Sequence, residues 1–584
     1  PQIFIDSKDR LWAHSENGVF MISNISETKP GGMVENIHRL PENCAGKAPN
    51  AHRRRCIYED SKNQVWMGAS SGVWRFNETT QCFEPHLLFE KEREGTTYIH
   101  GERQEHLVLQ TDGDLMLMDV DSGVMSFLLP FSKEGSGPAY SYQSFLTDKS
   151  GMNWMATNGY GVRLWPGKRR RFHNPDLEKM GMKTPSIYKM CEGRNGSIIM
   201  PGSDVIFKWN RRENQIDVID FPLLREKISG FFWFADAFRD GEGVYWITSS
   251  NGLVKFDNRT GEAKLFDIAA SKPSATHFYN PDLQLIAHRN DTLLWIASSG
   301  NLISFDKKKE QFQWFPISKM MENEGLPAGT LAILQDGDNA VWLATSNGLY
   351  HINAKSGHIQ SWFQDKDNRN SLSSNNLLSL CRDPQNPGSI LWIGTRGNGL
   401  NRLDLKTQTF THYAKEYGLP DNTVYGNLPE EKGNLWLSTN RVLSKFKPTT
   451  ETFRNYDVSD GLQSNEFNTG SYLKTKAGEL VFGGVHGLNH FFPDSIIDNA
   501  HRPPVVITGF KINNRTVTHK DLKSPLKKVI SQTKNITLSW RDDMITFEFA
   551  ALDFHQPGKN QYAYMLEGLQ DEWIQNGTNR TAVF

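Results

Sequence analysis

The sequence predicts an all-β protein assembled from β-propeller blades, with a short β-sandwich at its C-terminal end. Three observations predict it. A short phrase returns eleven times: an acidic or glycine turn, a hydrophobic pair usually containing Trp, a small-residue segment, then Gly and a hydrophobic residue. Successive copies lie roughly 40 to 55 residues apart, the period of a four-stranded propeller blade. Near residue 495 the phrase stops, and β-branched runs follow the pair Pro503-Pro504, as expected where a linker enters a new domain.

The clearest copies are residues 391–400 (LWIGTRGNGL) and 341–349 (VWLATSNGL). Trp12, Trp66, Trp154, Trp246, Trp295, Trp342, Trp392 and Trp436 share one slot, and Met116, Ile199 and Val481 take it in weaker copies. Around Trp436 the pattern predicts strands at 423–428, 435–438, 443–446 and 452–456, with a turn at 431–434. Side chains alternate along a strand, so Leu435 and Leu437 point one way and Trp436 the other, where its ring can wedge between blades. Burying such a ring is worth about 2 to 3 kcal/mol. Asp60, Asp148, Asp336 and Asp383 precede the Trp positions and read as turn formers, because Asp bonds its own backbone.

Composition sets further bounds. The 584 residues include 48 Gly and 26 Pro, and the net charge of -1 provides no field for nucleic acid or an anionic membrane. The basic runs 53–55 and 168–171 read as solvated, and the apolar run 231–234 is far too short to span a bilayer. Five cysteines without a C-x-x-C pair argue against zinc. Cys191 and Cys381 fall in predicted first strands, as small buried hydrophobes, and a Cys44–Cys56 disulfide is left open. No phosphate-cradling loop, kinase catalytic segment or Ser/His/Asp constellation occurs, so this region reads as non-enzymatic and without a cofactor.

The chain opens at Pro1 almost directly in a blade strand, and both ends are expected to be cut. Beyond the repeats, 505–512, 536–540, 546–550 and 562–566 read as four strands of a sandwich. A complete immunoglobulin-like sandwich has about seven, so a truncated one is expected.

The blade phrase closely resembles the two-component regulator propeller repeat. The tail, 538–540 (LSW), 547–554 (FEFAALDF), 560–569 (NQYAYMLEGL) and Trp573, resembles the triple-tyrosine (Y_Y_Y) immunoglobulin-like domain that follows such propellers, and 460–468 (DGLQSNEFN) is similar to the family too. The resemblance implies the periplasmic sensor region of a membrane-bound histidine kinase, commonly a hybrid two-component regulator. Such proteins carry two seven-bladed propellers, the immunoglobulin-like domain, one transmembrane helix and a cytoplasmic kinase. Several respond to oligosaccharides. Counting back seven copies from Val481 then ends at Ile199. The expected division is 1–168 for the last blades of an incomplete first propeller, 169–497 for a seven-bladed second, and 498–584 for the immunoglobulin-like domain. The expected partners are an oligosaccharide or other small ligand and a second copy through the immunoglobulin-like domain, with no nucleic acid and the membrane touched only by a downstream helix. This chain departs from the pattern at Met116 and Ile199, which replace Trp, and at Val442, where Gly usually precedes the Leu.

In a four-stranded meander the turns between strands two and three share a face with the connections from strand four to the next blade. Loops on a rigid scaffold usually carry binding. The candidate ligand residues are therefore Arg396, Asn398, Asn440 and His486 from the turns, and Trp233 and Tyr279 from the connections, with Asn422 nearby. Arg396 suits a carboxylate or sulfate, and aromatic faces with amides around them suit a sugar. A pure protein-interaction propeller is the main rival.

Overall fold

The computed structural model describes residues 3–15, 18–23, 25, 37–39, 56–89, 97–103, 106–111, 114–129, 142–148, 150–157, 161–166, 172–203, 205–221, 234–271, 284–287, 292–298, 301–316, 329–496, 502–554 and 556–584. Among them there is no α-helix, only strands joined by turns and short 3-10 segments. Eleven antiparallel meanders carry the eleven repeats. The chain divides into two compact units, Arg170–Asp498 and Pro1–Arg169 with Asn499–Phe584.

The Arg170–Asp498 unit is a seven-bladed propeller. The Trp436 repeat folds as Val424–Pro429, Leu435–Thr439, Leu443–Lys447 and Thr452–Tyr456, paired in that order. Six blades have this four-stranded form, whereas the last supplies only Phe467–Lys474, Leu480–Gly484 and Gly487–Phe491. Its outer edge is completed from the start of the unit: His173 and His490 exchange both backbone hydrogen bonds, at 3.1 and 3.0 Å. Phe172, fully buried, then inserts among Trp436, Tyr456 and Phe491.

Alternation along the second strand builds the interblade core. In Ile390–Thr395, Leu391 and Ile393 pack with Trp342 and Leu349 of the preceding blade, while Trp392 packs with Leu435, Leu437 and Phe446 of the following one. Both faces are covered, so the strand is buried throughout. Val481 in the Trp slot packs with Ile198, Met200 and Trp209 of the first blade, which closes the ring. Ile199 packs against Tyr245, Ile247 and Phe256, where larger neighbours fill the space an indole would take.

The acidic turn residues do more than form turns. Asp60 Oδ1 accepts the backbone N–H groups of Lys62 and Gln64, and its Oδ2 accepts the indole N–H of Trp66 at 2.8 Å. Asp6 with Trp12, Asp148 with Trp154, Asp240 with Trp246 and Asp383 with Trp392 repeat this clasp at 2.8 Å. Asp336 holds Trp342 at 3.2 Å and Glu430 holds Trp436 at 2.7 Å. A buried indole N–H without an acceptor is costly, so the acid before each of these seven Trp residues supports its burial, whereas the buried Trp295 indole N–H finds no such acceptor among the described residues.

The second unit contains four meanders, three of four strands and one, Tyr142–Thr147 to Val162–Pro166, of three. One repeat is read differently from the sequence. Met116 lies on the third strand, Asp114–Asp119, not in the Trp slot. Val108, on His106–Thr111, packs toward Met155 of the next blade as the other Trp residues do toward theirs. In sequence Asp112-Gly113 resembles the turn before Trp, but it follows the strand that holds Val108 and lies outside the described residues. In the tail, Arg515–Thr516, Val505–Ile512, Ile545–Ala551 and Thr581–Val583 form one sheet, and Tyr562–Tyr564 pairs with Ile574–Gly577. Phe554 meets Trp154 edge to face at 4.9 Å. The expected strand at 536–540 does not form: this apolar alternation meets no partner strand among the described residues, and Trp540 is 86% exposed. Nor does Cys56 pair with Cys44. Cys56 keeps its thiol, buried on an inner strand with Sγ 3.4 Å from the Ile99 carbonyl oxygen, while Cys82 is disulfide-bonded. Cys44 lies outside the described residues.

Candidate functional site

The turns between second and third strands are built alike. A Thr or Ser ending the second strand donates its hydroxyl back across the turn: Thr345 to Gly348 O, Thr395 to Gly399 O, Thr439 to Val442 O and Ser249 to Gly252 O, at 2.7 to 3.0 Å. This explains the small-residue segment of the repeat. Gly399 sits at φ +80°, and a Cβ there would collide with the Tyr413 carbonyl oxygen. Its N–H donates to the Asn422 carbonyl in the connection to the next blade, at 2.7 Å. Arg396 N–H likewise donates to Asn376 O at 2.9 Å. These bonds fix the turn to the chain entering its own blade at Asn376 and to the chain entering the next at Asn422.

Arg396, Asn398, Asn440 and His486 all occupy such turns and all are exposed. The Arg396 guanidinium makes no ion pair among the described residues, and its charge acts on Tyr425 of the following blade. The Tyr425 hydroxyl donates to Asn440 Oδ1 at 3.1 Å. Burial, with Glu466 and Asp421 nearby, pushes the Tyr425 hydroxyl pKa above its ordinary value, opposed by Arg396. Tyr425 is thus a neutral hydroxyl between a cation and an anion, next to an amide. Such alternating donors and acceptors can bind a polyhydroxylated ligand. Sequence reading missed Tyr425 and Glu466 because they lie at the inner strand and its approach, not in the turn; the aromatic residue opening an inner strand was the available signal.

The other candidates fare differently. Asn398 donates its amide to Ser373 O at 2.6 Å and accepts from Ser373 Oγ through its carbonyl, so it staples the turn to the preceding connection. Asn422 Oδ1 accepts the Lys415 N–H at 3.0 Å, as Asn465 does for Val458 and Asn375 for Gln364. His486 N–H donates to Gln463 Oε1 at 2.9 Å. Trp233 and Tyr279 lie outside the described residues. Inward of these turns, Lys189 approaches Asp236 at 3.9 Å, and burial raises the pKa of Tyr472, which packs beside Gly426. Among the described residues no three His, Cys, Asp or Glu side chains gather as a metal site.

The fold is shared with a solved extracellular domain. The extracellular domain of BT3049 of B. thetaiotaomicron, described as a hybrid two-component system, superposes on all of this chain and 73% of its own with a TM-score of 0.68 at 20% identity. The extracellular domain of BT4673 from the same organism aligns with all of this chain and 76% of its own at a TM-score of 0.46 and 16% identity. Among curated proteins, Histidine kinase P4 of Formosa agariphila is 31% identical over 252 residues, 42% of this chain. The match spans 18% of that kinase's length. No protein-family model matches. Among the described residues no helix is long and apolar enough to cross a membrane.

Proposed function

We propose that this chain is the extracytoplasmic sensor region of a two-component histidine kinase, and that it binds an oligosaccharide on the turn face of the Arg170–Asp498 propeller. The observation that carries the reading is the 31% identity with a histidine kinase over 252 residues, in a chain whose repeats build propeller blades. On this reading Arg396, Asn440 and Tyr425 contact the ligand, with His486 as a further contact, while Asn398 shapes the turn. The signal passes through the immunoglobulin-like segment to a membrane helix and kinase beyond it. A ligand shifts such an equilibrium only by binding one arrangement better than the other. Exposed Trp540 and Trp573, at 86% and 62%, support a contact between two copies through that segment.

A thermal-shift screen of oligosaccharides against the chain tests the proposal, with Arg396→Ala alongside. The expected result is stabilisation by at least one oligosaccharide, lost in Arg396→Ala while the unliganded melting temperature stays unchanged. A full panel without any stabilising sugar favours the protein-interaction reading. Released reducing ends from any polysaccharide would contradict the non-enzymatic assignment.

A further inference from the structure

We propose that the cleft at the seam of the Arg170–Asp498 ring is a second ligand site, for a saccharide that carries a carboxylate or sulfate. It is independent of the turn face. The cleft measures about 610 Å³ and lies between the closing segment at His173 and the turns of the first blade. That volume suits a small ligand.

Its lining is rich in cations and donors. Arg211 and Arg212 follow the strand Ile206–Asn210, and His173 and His490 stack with ring centres 5.2 Å apart. The acid in the lining, Asp176, is paired with Lys179 at 3.0 Å. Arg211 is already locked in place. Its two Nη atoms grip Glu479 Oε1 and Oε2, and its guanidinium lies 5.5 Å from the Trp209 ring centre. Glu479 Oε1 also accepts from His490 Nδ1 at 2.7 Å. Glu479 thus balances the Arg211 charge, and Arg211 forms a fixed wall of the cleft beside Arg212, the guanidinium left to meet an anion. Arg212 is exposed and makes no hydrogen bond among the described residues.

The same cleft offers what a sugar ring needs besides its charge. The paired imidazoles give a flat surface beside the guanidinium groups. Asn195 and Asn214, held at turns with φ +57° and +52°, add amides that can exchange hydrogen bonds with hydroxyls. Arginines recognise carboxylate and sulfate alike through paired N–H groups. A ligand here touches Arg211 and Arg212 of the first blade and His490 of the last, so it bridges the closure of the ring.

Calorimetric titration of the chain at constant ionic strength tests this, with glucuronate, glucose 6-sulfate, glucose and sodium sulfate as separate ligands. The expected result is that both charged sugars bind at least about tenfold more tightly than glucose and than sodium sulfate. In the Arg396→Ala background, which removes the turn-face guanidinium, Arg212→Ala should weaken both charged sugars about tenfold with an unchanged melting temperature. Equal binding of glucose overturns the charge assignment, and equal binding of sodium sulfate overturns the saccharide. Unweakened binding of the charged sugars by the Arg212→Ala, Arg396→Ala double variant overturns the location.

Discussion

At the residue scale, the clasp between an acidic turn residue and the indole six or nine positions on connects turn chemistry to the interblade core. Asp383 accepts from Trp392 Nε1 at 2.8 Å and from the backbone N–H groups of Gln385 and Asn386 at 3.0 and 2.7 Å. Asp383→Ala should therefore cost about 2 to 3 kcal/mol in denaturant unfolding, the scale of charge-assisted hydrogen bonds to buried groups. A loss below about 0.5 kcal/mol would mean that water replaces the carboxylate. Glycines differ just as sharply. Gly397, at φ +90°, has open space within 4 Å of where a Cβ would stand, whereas a Cβ on Gly399 runs into backbone. Gly397→Ala should cost about 1 kcal/mol of backbone strain, and Gly399→Ala clearly more, since the Tyr413 carbonyl cannot yield without breaking its strand. Equal losses would place both residues in open turns.

At the element scale, the closing segment is the weak point of a ring whose other six blades are complete in sequence. It adds two backbone hydrogen bonds through His173 and one large side chain, Phe172, touching three aromatic rings. Phe172→Ala should destabilise the Arg170–Asp498 unit by about 3 to 5 kcal/mol. Hydrogen exchange should then rise first in Gly487–Phe491, the strand it covers. Uniform loosening of all seven blades would show that closure is not a local event.

At the scale of the whole propeller, cations from one blade reach carboxylates of a neighbour, Lys307 and Arg382 to the clasp acids Asp240 and Asp336, and Arg211 to Glu479. Burial alone raises the Asp240 and Glu479 carboxyl pKa values. The bonds to Trp246 and Lys307, and to His490 and Arg211, outweigh it and leave both below their ordinary 3.8 and 4.5. Asp336 is lowered chiefly by the His351 hydrogen bond, with Arg382 adding its charge. A carboxylate depressed in the folded state stabilises above its unfolded pKa and loses that contribution as pH falls through the folded value. The unfolding midpoint should therefore hold steady down to about pH 5 and decline below about pH 4, with a shallower decline in Glu479→Gln. A profile flat to about pH 3 would remove the interblade charges from the account of stability.

Much of this was legible locally. Period-2 alternation around each Trp predicts the blades, and the strands about Trp436 lie within one residue of the expected bounds at 424, 435, 443 and 452. The turn face follows from meander geometry, which places Arg396, Asn440 and His486 without knowledge of any long-range contact. What failed was non-local. Asp112-Gly113 has the chemistry of the turn before Trp, and only pairing shows that it follows the second strand. The alternating run 536–540 promised a strand, but a strand exists only where a partner supplies the other half of the ladder. The bond from the Asn398 amide to Ser373, distant in sequence, was likewise not legible. The sequence by itself determined the repeat, the alternation and the positions of the turns, because these depend on neighbours a few residues apart. The tertiary structure decided the closure through His173, the thiol of Cys56 and the cleft at the seam. Each of these depends on groups meeting across the chain, at separations no local pattern encodes.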